Sequence, residues 1–490
     1  MNTVILEIAV VVLGILLLLA DAFVDRPDKT FLANLGALGL GIILILSFFV
    51  QTIAPVVGTP VAAFVTVDPP SIFFIRFLLI STIIVILMSP SFLPVLERYV
   101  PAERVGGGIG EYYLLPIFSC AGLMWMVQAI DFIMIFVALE LATITLYILV
   151  TYLRQNQASL EAGTKYLILG ALSTGFLVYG ITWIFGVTGT TNLELLPQVL
   201  NNNSFPSASL PPLLFGIALV LVALSFKIAA FPFQFWVPDV YQGAPTPTTA
   251  YLSVASKAAG FVVLIRLLLA LEQAPLIAHR IEAVVIVLAL LTLIFGNFCA
   301  IPQTNMKRLL GYSSIAHAGY LLIGAASLGS VLAIPAIGFY FAGYLAMTLL
   351  SFLVLMIVTE NTGGDDISRF NGLSQRSPLL AGAMLLSMAS LAGIPFTAGF
   401  IGKFLIFEVA IYQGHFGLVA IGVITVATGF YYYFKVVRAM YWQQPNELTP
   451  IPVSTTVKVL IAVMGAGILA LGIYPSPVLS ALEPVVKVLH

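Results

Sequence analysis

Charge is what this sequence lacks most. Only 8% of its 490 residues are Asp, Glu, Lys or Arg, and the formal net charge is −1. Without a basic surplus the chain has no electrostatic footprint for nucleic acid, so no nucleic-acid partner is expected. Cysteine is nearly absent. Cys120 and Cys299 are the only two, both in apolar stretches, which excludes a disulfide framework or a thiolate cluster. The histidines, His279, His317, His415 and His490, are scattered, and no pair has the spacing of a haem or metal site. The chain is therefore expected to hold no metal and no redox cofactor of its own. Long polar stretches are missing too. The longest segments between apolar runs are 52–70, 93–111, 187–210, 359–378 and 441–455, none large enough for a soluble domain.

What is present is apolar. Hydrophobic residues make up 60% of the chain and the mean hydropathy is +1.09. A soluble fold cannot hide that much apolar surface, and the runs are too long for strands of a membrane barrel. The expected class is an all-α polytopic membrane protein. Apolar windows predict about fourteen spans, at 3–23, 31–54, 71–92, 112–129, 131–153, 161–186, 211–240, 248–271, 281–300, 309–328, 331–358, 379–412, 417–440 and 456–476. The N-terminal run lacks a basic flank and a small-residue cleavage site, so it reads as a first span that is retained.

Basic residues set the orientation. With the N-terminus outside, Arg26, Lys29, Arg98, Arg104, Arg154, Lys307, Arg308, Arg369, Arg376, Lys435, Arg438 and Lys458 fall on the inside, against Arg280 and Lys487 outside. Arg76, Lys165, Lys227, Lys257, Arg266 and Lys403 lie within spans. Such a bias places both termini outside.

Two spans are overlong and carry proline. The seventh contains Pro232 and Pro238, and the twelfth contains Pro395 followed by Gly399 and Gly402. Proline removes a backbone donor and clashes with the preceding turn, so both helices are predicted to break. The pieces AAFPF (229–233) and AGIPF (392–396) match each other. Corresponding broken helices point to a transport site. They are five spans apart, an odd number, so the two units insert in opposite senses. The expected organisation is an N-terminal three-helix segment (1–110), a first five-helix repeat (111–271), an inverted second repeat (279–440) and a C-terminal helix (441–490).

The charges that remain inside spans are the candidates for function. A charge at mid-membrane costs about 2.5–3.5 kcal/mol even on the lenient insertion scale, so it faces a protein interior and serves a purpose there. Glu140, Lys227, Lys257 and Lys403 are placed this way. Burial and a nearby carboxylate act in opposite directions on the proton affinity of an amine, which is the physical basis for loading and unloading it. Arg76, Arg266, Glu7 and Glu408 read as structural or interfacial. Tyr431, Tyr432 and Tyr433 read as an interfacial belt, and the glycine run 106–108 as a linker.

Three runs carry a family resemblance: ALSFKIAAFPFQFWVPDVYQGAPTPTTAYLSVASKAAG (223–260), MKRLLGYSSIAHAGYLLIG (306–324) and SLAGIPFTAGFIGKF (390–404). They resemble the antiporter-like membrane subunits of complex I, the proton-pumping NADH:quinone oxidoreductase. The length and the wording VPDVYQGAPTP are most similar to the N-type members. The resemblance implies a subunit that translocates protons while other subunits hold NADH, FMN, iron–sulfur clusters and quinone. It implies neighbouring complex I membrane subunits, including related antiporter-like ones, as partners. It also implies that Glu140 pairs with Lys227, that Lys257 is central, that Lys403 lies at the exit side, that Lys165 lies near the Glu–Lys pair, and that His317 belongs to the polar axis. Subunits of sodium/proton antiporters or hydrogenase-linked pumps share these features. A quinone-binding redox subunit is disfavoured by the missing ligands.

Overall fold

The computed structural model describes residues 4–24, 29–50, 63–99, 109–202, 205–445 and 448–482. Arg26, Arg104, Lys487, His490 and the glycine run 106–108 lie outside the described residues. The described residues form an all-helical bundle. Its helices are α1 (Val4–Phe23), α2 (Thr30–Ser47), α3 (Pro69–Tyr99), α4 (Gly110–Gln128), α5 (Phe132–Val150), α6 (Gln157–Thr188) and α7 (Leu210–Ile228). They continue with α8 (Trp236–Gly243), α9 (Thr246–Glu272), α10 (Ala278–Ala300), α11 (Met306–Ala325) and α12 (Ala333–Thr362). The last are α13 (Pro378–Ala392), α14 (Ala398–Tyr412), α15 (Phe416–Trp442), α16 (Thr455–Ile473) and α17 (Ser476–Leu482).

Eleven of these helices are long and apolar enough to cross a membrane. The other predicted windows hold α4, α11 and the interrupted pair α13–α14. Helix starts coincide with polar caps. Asp68 accepts from the Ser71 N–H at 2.8 Å with prolines in the first turn of α3, and Asp131 accepts from the Ile133 N–H at 2.8 Å. Asn156 and Asn305 cap α6 and α11 in the same way. Left-handed Gly189, Gly363 and Gly393 end α6, α12 and α13.

Burial sorts the helices. Over an 18-residue apolar stretch α12 is 94% buried, whereas the corresponding stretch of α6 is 22% buried. α12 is therefore the centre of the bundle and α6 lies on its rim. α12 is apolar on every face, as a fully enclosed helix must be. It packs against α3, α11, α13, α14 and α16.

Segments predicted on one side of the membrane touch one another. Val65 bridges to Ala129 and Asp131 to Asn192, while Asn201 Nδ2 donates to Gln273 O at 2.8 Å. At the opposite end Asn305 bridges to Asp366, and the Gly372 N–H donates to Ala439 O at 3.1 Å.

Both overlong spans are interrupted. α7 stops at Ile228, Ala229 turns left-handed, and helix resumes at Trp236. Pro232 lies in that gap, but Pro238 lies in the first turn of α8, where no intrahelical donor is lost. α13 stops at Ala392, and Pro395 lies in the gap before α14. Backbone groups freed in an apolar medium need partners. The Phe231 N–H donates to Thr292 Oγ1 at 3.0 Å, and Trp236 Nε1 donates to Phe226 O at 3.0 Å.

Candidate functional site

The interrupted helices bring buried amines toward the middle of the bundle. Lys227 sits one residue before the end of α7 and is 6% exposed. Its Nζ donates to Thr143 Oγ1 on α5 at 3.1 Å. Glu140, one turn earlier on α5, accepts instead from Thr174 Oγ1 of α6 at 2.8 Å. Among the described residues no ion pair joins Glu140 to Lys227. The carboxylate lies on the half-buried flank of α5, and Thr143 takes the amine. Lys227, Thr143, Thr174, Tyr147 and Tyr166 line one cleft between α5, α6 and α7. The stem of Lys227 packs on Gly260 of α9, where an added Cβ would lie 3.1 Å from Lys227 Cγ.

Lys257 follows a π-helical turn, Leu252–Ser256, inside α9. Such turns re-aim side chains and are frequent at functional sites. The Lys257 Nζ donates to the carbonyl and hydroxyl of Ser314 on α11. The Ser314 hydroxyl also accepts from Tyr344 OH at 3.1 Å and lies 3.2 Å from Tyr241 OH. Among the described residues no hydrogen bond joins Lys227 to Lys257.

One face of α11 continues the file. Ser313, Ser314, His317 and Tyr320 recur at helical spacing, so they point the same way. His317 Nδ1 lies 2.7 Å from Tyr340 OH and Nε2 lies 3.2 Å from Tyr433 OH. Tyr433 OH is also hydrogen-bonded to Ser313 Oγ. Beyond His317, Lys403 Nζ lies 5.1 Å from the centroid of the Tyr320 ring. The same amine donates to Leu391 O at 2.8 Å and Ala392 O at 2.9 Å. These are the last carbonyls of α13, the negative end of a half-helix, which favours a cation. Gly393 makes this possible. Its φ of +94° suits glycine, and a Cβ there would lie 3.3 Å from Lys403 Cδ.

Lys165 is elsewhere. It is bonded to Asp239 and Glu161, each at 2.6 Å, with its side chain 41% exposed. Arg308 also reaches Asp239, at 2.8 Å. This surface network is separate from the cleft at Lys227, because α6 turns Lys165 toward α8 rather than toward α5. The tyrosines expected as one interfacial belt divide between surface and interior. Tyr431 is exposed, but Tyr432 and Tyr433 are buried, and only the inward pair belongs to the interior. Arg266 forms a paired contact with Asp68 at 2.9 Å. Arg76 donates to Ser47 O at 3.0 Å and covers the Phe48 ring. Tyr340, Tyr344 and Ser314 were missed. Their signal is the polar face of SSIAHAGY, which calls for partners on the helix opposite.

Residues 129–429 match the family described as NADH:quinone oxidoreductase/Mrp antiporter, TM, a stretch that contains Glu140, Lys227, Lys257, His317 and Lys403. The chain belongs to this family. Similarity extends over its whole length. It is 40% identical to the NADH-quinone oxidoreductase subunit N of Trichlorobacter lovleyi, covering 100% of this chain and 97% of the relative. Among solved structures, a chain of respiratory complex I from Thermus thermophilus with bound aureothin is 30% identical, with a TM-score of 0.79 over 97% of this chain and 99% of that one. A chain of the Mrp complex from Dietzia sp. shares the fold, with a TM-score of 0.81 at 19% identity, covering 98% of this chain and 96% of that one. This family member is a multi-pass membrane protein.

Proposed function

We propose that the chain is an N-type proton-translocating subunit of a respiratory NADH-quinone oxidoreductase. In this reading protons pass along Glu140, Lys227, Lys257, His317 and Lys403, driven by quinone reduction in other subunits. One observation carries it. Lys227, Lys257 and Lys403 are 6%, 2% and 5% exposed, and all their hydrogen-bond partners are hydroxyls or backbone carbonyls. An amine held only by neutral acceptors can take up or release a proton without breaking an ion pair. Mid-membrane positions without such a purpose would be costly to retain. NADH, FMN, iron–sulfur clusters and quinone would belong to partner subunits, with other membrane subunits of the complex, including antiporter-like ones, as neighbours. The chain would cross the bacterial inner membrane fourteen times, with residues 111–271 and 279–440 as inverted repeats between the segments 1–110 and 441–490.

Two measurements test this reading. Proton uptake by vesicles holding the intact complex is expected to fall strongly with Lys227→Ala. It should stay near wild type with Lys165→Ala, whose exposed pairs are worth about 0–1 kcal/mol. Equal effects of both would dissolve the distinction between the buried file and the surface network. For orientation, Ser368→Cys in a background lacking Cys120 and Cys299 should react with an impermeant thiol reagent from the cytoplasmic side only. Reaction from the opposite side would invert the topology.

A further inference from the structure

A second buried acid stands apart from the file. Glu7 on α1 and Gln128 at the end of α4 are both fully buried. Gln128 Nε2 donates to Glu7 Oε1 at 2.9 Å. The other two oxygens of this pair, Glu7 Oε2 and Gln128 Oε1, are buried with no hydrogen-bond partner. Both are acceptors while Glu7 is ionised, because a carboxylate has no donor. One added proton changes this. A hydroxyl on Oε2 is a donor, and Gln128 Oε1, on the amide already bonded to Glu7, is an acceptor without a partner.

No cation takes the proton's place among the described residues. Lys29 pairs with Asp21 at 2.9 Å, at the far end of α1. Arg266, whose Nε donates to Val127 O beside Gln128, is bound to Asp68. The contrast is instructive. Desolvation acts to raise the Asp68 carboxyl, but the Arg266 guanidinium outweighs it and holds Asp68 below the usual carboxylate range. Among the described residues no cation is paired with Glu7; an ionisable group that acts on it from α4 is the buried thiol of Cys120. The site is also closed. The Thr66 N–H donates to Gln128 O at 2.9 Å and the Ile130 N–H to Phe64 O at 3.0 Å, so residues 64–66 are fastened at the end of α4.

We propose that Glu7 is a proton-binding site, holding on Oε2 a proton that it donates to Gln128 Oε1 and so closing a two-way acid–amide clasp between α1 and α4. The proton comes from hydronium in the solvent: one O–H bond breaks there, leaving water, and one forms on Oε2. The clasp joins the N-terminal helices to α4 without placing a charge between them, and it is independent of conduction through the lysines.

Infrared spectra of the purified complex at neutral pH test this directly. The C=O stretch of a protonated carboxylic acid should be present in wild type and lost in Glu7→Gln. Glutamine supplies an N–H where the acid supplied an O–H, so this variant should assemble and pump as wild type does. Gln128→Leu should lower the thermal midpoint of the complex. The exchanged pair, Glu7→Gln with Gln128→Glu, should restore both the midpoint and the acid band. Absence of the band in wild type, loss of pumping in an assembled Glu7→Gln complex, or an exchange that restores neither signal would overturn the proposal.

Discussion

Lys403→Ala should slow proton transfer through the assembled complex by about 100-fold. The alanine leaves the stretch beside α13 without a base. An excess proton must then cross it at a cost of about 2.5–3.5 kcal/mol, the insertion penalty of a buried charge, and each 1.36 kcal/mol is a tenfold change in rate. The effect should be specific to conduction, because the amine's partners, Leu391 O and Ala392 O, are backbone groups at a break that water can reach once the side chain is gone. Lys403→Arg separates carrier from countercharge. Arginine keeps the positive charge at the half-helix end but does not release its proton. It should assemble and still fail to pump. Proton uptake measured beside quinone reduction in vesicles decides the matter, and full pumping by the arginine variant would make position 403 a fixed charge.

Gly296→Val should remove most of the subunit from the purified complex. An added Cβ at this position on α10 would lie 2.5 Å from the backbone nitrogen of Ala316 and 2.8 Å from its Cα. Backbone atoms cannot turn aside as a long side chain can, so α10 must move away from α11. Forced overpacking costs about 1–3 kcal/mol or more, and helix pairs in lipid depend on such close approach. The damage falls beside His317, so any complex that survives should also pump poorly. Gly186→Ala on α6 is the control, because its Cβ would meet nothing within 4 Å. The yield of subunit co-purifying with its partners is the readout, and equal yields for the two variants would refute the packing argument.

The lysines were legible because an ammonium in an apolar run stands out against everything around it. The breaks were legible because proline announces a missing donor, although the same rule overstated Pro238, which lies where a helix start tolerates it. What surrounds each lysine was not legible. Thr143, Ser314 and the carbonyls of Leu391 and Ala392 come from other helices, and which faces meet is settled by packing, not by spacing along one chain. Tyrosine hides best, since its ring reads as core and its hydroxyl shows only when a partner is in place. Tyr431 and Tyr433 share a tripeptide, yet one faces outward and the other reaches His317. Glu7 was visible as an acid in a span, but its meaning depended on Gln128, 121 positions away.

The enclosure of α12 has a consequence for biogenesis. At 30 residues it is about 45 Å long, at 1.5 Å per residue. It enters lipid with α3 and α11 already made to receive it, but α13, α14 and α16, which cover its other flanks, are translated later. Until α16 emerges, this central helix is open to the acyl chains on at least one flank. The subunit therefore closes last around its own middle, and a chain that stops short of residue 455 leaves the α12 flank that α16 covers open to the bilayer.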